Sequence, residues 1–379
     1  MPNLLLFRPK PLEDELASQW IVRLAWHNNQ KLNHFSWKQL GLPRGVWDRD
    51  IDRNLSDEQL IRIGHLAGIT SEIILKLSLR RWHGVLWEQL SASGSVQWLM
   101  QPRIIGRLRR RAAQQFCPRC LRIGTPYFRL QWRLMVPFCL EHRTPLLERC
   151  PRCASVVNFH TGDYGWPLGT RDVQWVLCAR CGFDLRSSET SSINSAPALL
   201  RLLKSIRQGL SGEWVRLGSE LLHPLLFFRG LRILLCILAS NADSGRRLRG
   251  EIMASHGLRA FRTVSEQRHL VVEALDIDER MRLFEMLACV MDRWPHNFLE
   301  SFTDANIKSD RFRKKWDVPW WLEKHVSTIL NGSFYRPSPD EAQAAKSYLL
   351  TRQQSVSRNS LRRTLGLSYI ANHQYVRNR

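Results

Sequence analysis

Four ligand pairs with the same two-residue gap stand within 65 residues: Cys117/Cys120, Cys139/His142, Cys150/Cys153 and Cys178/Cys181. They read CPRC, CLEH, CPRC and CARC. Tetrahedral zinc takes four thiolate or imidazole ligands, and such a gap lets one tight turn present two of them to a single ion. Eight ligands therefore make two complete sites, and seven of the nine cysteines enter the pattern. Consecutive pairing gives one set of three cysteines with a histidine and one set of four cysteines; crossed pairing satisfies the same spacing. In either case both sites are closed by protein ligands, which points to two structural Zn2+ ions rather than to a catalytic centre with an open position. For so small a module the ions supply much of the folding free energy, on the order of 10 kcal/mol per site. His160 is a spare imidazole, read as a surface residue. Cys236 and Cys289 lie in apolar helical runs and read as inert core positions.

Lys and Arg outnumber Asp and Glu 56 to 34, a formal charge of +22. Such an excess calls for an anionic partner, and DNA is the commonest. The apolar segment at 4–7 is too short for a secretory signal. The longest apolar run, Leu225 to Ala239, carries Arg229 and Arg232 and falls short of a membrane span. A cytoplasmic chain with reduced thiols and no membrane partner is the expectation.

The fold class expected is mainly α with small zinc-ribbon β elements, in four parts. Residues 1–111 form an N-terminal helical domain. Within it Ser56-Asp57-Glu58 starts a helix, Gly68 ends it and Thr70-Ser71-Glu72 starts another, the outline of a helix-turn-helix. Residues 112–190 hold the double zinc-ribbon region, with short strands expected in the alternating stretches from Pro126 and Asp172, and 187–197 reads as a linker. Residues 191–345 form a helical domain, with helices expected near 217–240, 246–256 and 264–290 and a further one at 340–353. Residues 346–379 give a second helix-turn-helix-like segment, capped by Ser357, turning at Gly366 and resuming after Ser368.

Two arginine groups are candidates for nucleic-acid contact: Arg103, Arg107, Arg109, Arg110 and Arg111 beside the zinc region, and Arg358, Arg362 and Arg363 near the end. The alternative for the first group is a solvated helix face. Trp316, Trp320 and Trp321 among basic residues suit either stacking on nucleic acid or core packing. No catalytic residues emerge: the phosphate-binding GxxxxGK[ST] loop, HExxH and GxSxG are all absent, and the HxE element of zinc deaminases is missing. The acidic residues at 48, 50, 52, 57 and 58 read as a solvated, helix-capping stretch rather than a nuclease centre.

The segment RPKPLEDELASQWIVRLA (8–25) and the block FCPRCLRIGTPYFRLQWRLMVPFCLEHRTPLLERCPRC (116–153) resemble the TniQ family of transposition proteins, which includes TnsD. The ending RNSLRRTLGLSYIANHQYV (358–376) resembles the family's Arg-rich helical ending more loosely. The resemblance implies a bacterial, non-enzymatic adaptor in target-site selection for a multi-component DNA transposon. Its implied partners are target DNA, an AAA+ regulator of the TnsC or TniB type and, in CRISPR-associated transposons, a Cascade–guide RNA complex, where a homodimer is the expected form. The family's zinc ligands fall on the eight residues named above. TnsD-like relatives carry a longer C-terminal region for DNA reading, so a chain of 379 residues resembles the shorter TniQ type. The alternative is a zinc-containing, sequence-specific DNA-binding regulator that recognises its target directly.

Overall fold

The structure, a computed structural model, describes residues 4–102, 104–105, 108–109, 111–162, 174–193, 196–258, 271–313, 316–330, 338–357, 360–361 and 364–365. Among these residues it is mainly helical, with two small antiparallel hairpins. The N-terminal part contains α1 (Ala17–His27), α2 (Leu32–Lys38), α3 (Ile51–Asn54), α4 (Asp57–Leu66) and α5 (Ser71–Leu75). One face of α1 is apolar at helical spacing, and Trp20, Ile21 and Leu24 bury it against Phe35, Ile51 and Ile63. The helix start read at Ser56 is a full capping box: Ser56 Oγ accepts from Gln59 N, and Gln59 Oε1 accepts from Ser56 N. This reciprocal pairing satisfies two end groups of α4. Gly68 takes a left-handed φ of +70° to turn the chain into α5.

The segment before α1 is anchored by its own signature residues. Buried Glu15 pairs with Arg23 at 2.7 Å and accepts from Leu12 N, while Arg23 also donates to Lys10 O. Trp20 Nε1 donates to Pro9 O. The acidic, aromatic and arginine positions of 8–25 thus form a structural clamp. Within it the polar groups of Glu15, Trp20 and Arg23 have hydrogen-bond partners, as burial favours.

A hairpin follows, β1 (Ile104–Ile105) with β2 (Leu108–Arg109). Two adjacent β-branched residues favour a strand here over the solvated helix considered from the sequence. Among its described residues the central region then has only α6 (Pro118–Arg122) and short 3-10 turns. The stretches expected as ribbon strands are 3-10 turns at Leu130–Arg133 and Gln174–Val176, and the β elements are isolated bridges such as Phe116↔Leu147 and Leu177↔Asp184.

The remainder comprises α7 (Pro197–Leu210), β3 (Val215–Leu217), β4 (Glu220–Leu222), α8 (Pro224–Leu238), α9 (Asp243–His256), α10 (Ile277–Met291), α11 (His296–Asp304), α12 (Asp310–Arg313), α13 (Trp320–Leu330) and α14 (Pro339–Thr351). The helix expected from 217 begins only at Pro224, because Gly218 (φ +59°) turns β3 into β4. Of the helix expected at 264–290, residues 264–270 lie outside the described residues; among the described ones the helix begins at Ile277, where Asp276 accepts from Glu279 N and caps it. At Gly230 a Cβ would stand 2.0 Å from Trp321 Cζ2, so only glycine lets α13 pack so closely on α8. Among the described residues, no single helix is long and apolar enough to cross a membrane.

One apolar core runs from the central region into this helical body, and charged residues stitch it across. Arg280 of α10, fully buried, donates to Gln115 Oε1 and Met135 O and pairs with Glu148. Glu273 accepts from Trp98 N and from Arg232.

Candidate metal centres

Three of the four ligand turns share one backbone form. The N–H of the first ligand residue bonds to the carbonyl five residues on, in Cys139 to Thr144, Cys150 to Ser155 and Cys178 to Phe183. The carbonyl of that first residue accepts from the fourth residue after it, Arg143, Ala154 or Gly182. Each of those fourth residues has positive φ, at 53°, 54° and 71°. Only Gly182 adopts this without strain; left-handed backbone disfavours Arg143 and Ala154 by about 1 kcal/mol or more each. The remaining turn differs: Cys117 precedes α6, Pro118 fills the first helical position and Cys120 follows one turn later. Proline there loses nothing, because its missing N–H would have no helical partner.

The eight side chains converge as two groups, Cys117, Cys120, Cys139 and His142, and Cys150, Cys153, Cys178 and Cys181, with the ligand atoms of each within 4.8 Å of one another. The pairing is therefore consecutive. In the first group Cys120 Sγ lies 3.7 Å from Cys139 Sγ, and His142 Nδ1 lies 3.6 Å from Cys117 Sγ and 3.1 Å from Cys120 Sγ. In the second, Cys150–Cys181 and Cys153–Cys178 are each 3.6 Å apart. A tetrahedron built on a Zn–S bond of about 2.3 Å has edges of roughly 3.8 Å, so both groups fit such an ion.

The thiols of the first group also act on one another. Hydrogen bonding from Cys120 and Cys139 holds the Cys117 thiol down at about 2, and the contact with Cys117 pushes Cys120 far up. Thiols this close share protons, and a bound metal replaces those protons and keeps every ligand in its thiolate form. Around the ligands, Thr144 Oγ1 lies 3.8 Å from Cys117 Sγ, and His142 N donates to Cys139 Sγ. Ser155 Oγ sits 3.1 Å from Cys153 Sγ and 3.2 Å from Cys178 Sγ. Burial pushes Cys153 up, but its bonds with Ser155 bring it down to about 6. Hydroxyls in this position orient the ligands and spread their charge. Each ligand turn also carries an exposed arginine: Arg119, Arg143, Arg152 and Arg180. Sequence reasoning passed over these four, although every one lies within or directly after a ligand pair.

The other sequence candidates fall differently. Arg111 is exposed, and Arg109 belongs to β2. Arg103, Arg107, Arg110, Arg358, Arg362 and Arg363 lie outside the described residues. Ser357 does cap a helical turn, accepting from Ser360 N, while Gly366 and Ser368 lie outside. Trp321 is core, donating to Leu226 O, whereas Trp320 is exposed. His160 is not a surface residue: it is buried and stacked on Trp47 at 5.6 Å. Cys236 and Cys289 pack beside the core, and burial pushes the Cys289 thiol up to about 11.

The acidic stretch needs correction as well. Asp50 and Asp52 are not solvated but hold the fully buried Arg133, at 2.6 and 3.0 Å. Asp52 also accepts from Ser18 N and Oγ. Burial pushes the Asp52 carboxyl up while Arg133 draws it down. Asp57 and Glu58 do sit in the first turn of α4. The i, i+2 carboxylates are thus the bolt between the N-terminal helices and the metal region, a role with no local signal in the sequence.

Residues 6–146 match the TniQ family model, a span covering the N-terminal helices and the first ligand group and ending before the second. No curated protein matches the chain at a significant level.

Proposed function

As a TniQ family protein, matched over residues 6–146, this chain belongs with transposition-associated target selection, and we propose that it works there as a non-enzymatic adaptor. In this reading it joins target DNA, or an RNA-guided targeting complex, to an AAA+ regulator of the TnsC or TniB type. Two zinc ions hold its central region as a rigid scaffold. The observation that carries the reading is the family match together with two ligand groups of four, which leave no coordination position for water or substrate. Engagement of Asp50 and Asp52 by Arg133 supports it, since those carboxylates are already paired within the protein.

DNA contact in this proposal is electrostatic and falls to the charge of +22, with the arginines of the ligand turns and Arg111 among the contributors. The α4–α5 pair is a less suitable base reader. Helix α5 has five residues, and Glu72 in its first turn, paired with Lys76, would face DNA phosphates.

The test is duplex binding across a salt series, with random and candidate target sequences, followed by capture of the AAA+ regulator. If about six phosphates are neutralised, log K falls with log salt at a slope of about −5. Salt-driven, sequence-independent binding plus regulator capture is the expected result. Tight sequence-dependent binding would favour a chain that reads its own target, and cleavage of DNA on adding divalent metal would overturn the adaptor reading.

A further inference from the structure

The fourth ligand turn, Cys178 to Cys181, lies in a stretch that also braces the first ligand group. At the start of that stretch Trp175 Nε1 donates to Pro126 O at 2.8 Å, in the loop that leaves α6. Beyond Cys181, Asp184 accepts from Arg186 N and caps a 3-10 turn, Leu185–Ser187. Arg122, the last residue of α6 and two places after Cys120, reaches this turn. Its Nε donates to Arg186 O at 2.6 Å and its Nη2 to Ser188 O at 2.7 Å. Further on, Ile193 N donates to Arg143 O, in the turn that carries Cys139 and His142. Leu121, Trp175 and Leu185 are buried in the same core.

The stretch from 175 to 193 is thus bonded to both turns of the first group. A planar, charged guanidinium suits the Arg122 contact, because it can donate to two carbonyls at once. The stretch is itself drawn to the third ligand turn through the second group, where Cys178 Sγ lies 3.6 Å from Cys153 Sγ and Cys181 Sγ 3.6 Å from Cys150 Sγ. The first group's four ligands lie within the span that matches the family, whereas Trp175, Arg186, Ser188 and Ile193 all lie beyond it. The matched unit therefore carries a complete ligand set and takes its brace from the second centre.

We propose that Arg122 and Trp175 are positioning residues through which metal held by the second group tightens metal binding at the first. A second group closed on its metal fixes the 175–193 stretch. The bonds to Pro126, Arg122 and Arg143 then hold the two turns of the first group near ligand geometry before their own metal arrives. The cost of ordering that stretch is met at the second site and does not fall again on the first. Coupling of this kind is reciprocal, so each ion tightens the other by the same factor, on the order of tenfold. The inference rests on the two groups holding metal and not on the target-selection reading.

The test titrates the full chain, stripped of metal and kept reduced, with cobalt(II). The absorption of this ion differs between three thiolates with an imidazole and four thiolates, so each group is followed separately. The first group should bind cobalt at least about tenfold more weakly in Cys178→Ser than in the unaltered chain. In an Arg122→Met background, which keeps the aliphatic stem and removes both donors, that difference should shrink to about threefold or less. Trp175→Phe should shrink it by a smaller factor. If Arg122 only packs, Arg122→Met weakens the first group without changing the Cys178→Ser difference, and that result would overturn the proposal. Equal first-group affinity in Cys178→Ser and the unaltered chain would overturn it too. Where Cys178→Ser fails to fold, Cys153→Ser takes its place, because that ligand lies outside the bracing stretch. Cobalt at both groups with independent affinities sinks this inference alone, while no cobalt at either group sinks the metal reading with it.

Discussion

The central region and the helical body beyond it meet through one continuous core but are held by different forces. Among the described residues between Phe116 and Leu185 the chain has a single five-residue α-helix and a series of turns, so backbone regularity contributes little there, and eight candidate ligand side chains converge instead. Among the described residues from Pro197 to Leu330 the chain is mainly helical, and residues such as Leu231, Leu234, Phe284 and Leu287 are buried on helix faces that pack together. A metal-centred module concentrates its stability at two points, whereas a packed helical body spreads it over many small contacts. The first should therefore fail locally and abruptly, and the second in proportion to the volume removed.

The largest effect should follow from breaking a ligand set. Cys150→Ser or Cys178→Ser should release one metal ion, forfeiting on the order of 10 kcal/mol of site free energy. Metal analysis should fall by one ion per chain, and proteolysis should open the central region while α8 stays protected.

The corresponding break in the helical body is Trp321→Ala, which empties the space against Gly230. It should destabilise the chain by about 3–5 kcal/mol, measured by denaturant unfolding, without loss of metal. Arg133→Met tests the join between the N-terminal helices and the metal region. It leaves Asp50 and Asp52 buried without their cation and should cost about 3–5 kcal/mol. Both metals should remain, and hydrogen exchange should rise first at α3.

Asp14 provides a smaller, pH-dependent effect. Burial, opposed by Arg81 and Arg129, raises its carboxyl from 3.8 to about 6. The folded state therefore holds a proton that the unfolded chain has released. That contribution is complete below about pH 4 and is lost as pH rises through about 6. Asp14→Asn removes the penalty and suits the backbone, since φ is 58° and asparagine tolerates the left-handed region. The variant should be more stable by about 1–2 kcal/mol at neutral pH, with the advantage vanishing toward pH 4. The smallest expected effect is Ala154→Gly, which relieves a left-handed alanine in the third ligand turn. A gain of about 0.5–1 kcal/mol in unfolding free energy is expected.

The two regions also differ in how they can be read. Ligand spacing picks out all eight side chains that converge into the two candidate metal groups because the constraint is local: two ligands on one turn need nearly fixed spacing. The pairing of the turns is tertiary, and only the structure joins Cys117 with His142 and Cys150 with Cys181. In the helical body, periodicity places α8, α9 and α14 but misses the β3–β4 hairpin. Leu217, Leu221 and Leu222 satisfy a helical pattern as well as a strand pattern, and the turn at Gly218 decides between them. Long-range polar ties were the least legible. Arg133 meets Asp50 and Asp52 across more than eighty residues, and Arg280 reaches Glu148 across 132. Nothing in the local sequence separates these charges from those on the surface, which is why Asp50 and Asp52 read as solvated.

The most direct test of the account is hydrogen exchange on the full chain before and after chelation, with metal quantified in the same samples. Two zinc ions per chain are predicted, together with loss of protection from Phe116 to Leu185 on chelation while α8 and α10 keep theirs. Fewer than two ions, or unchanged protection in the central region once they are removed, would contradict it.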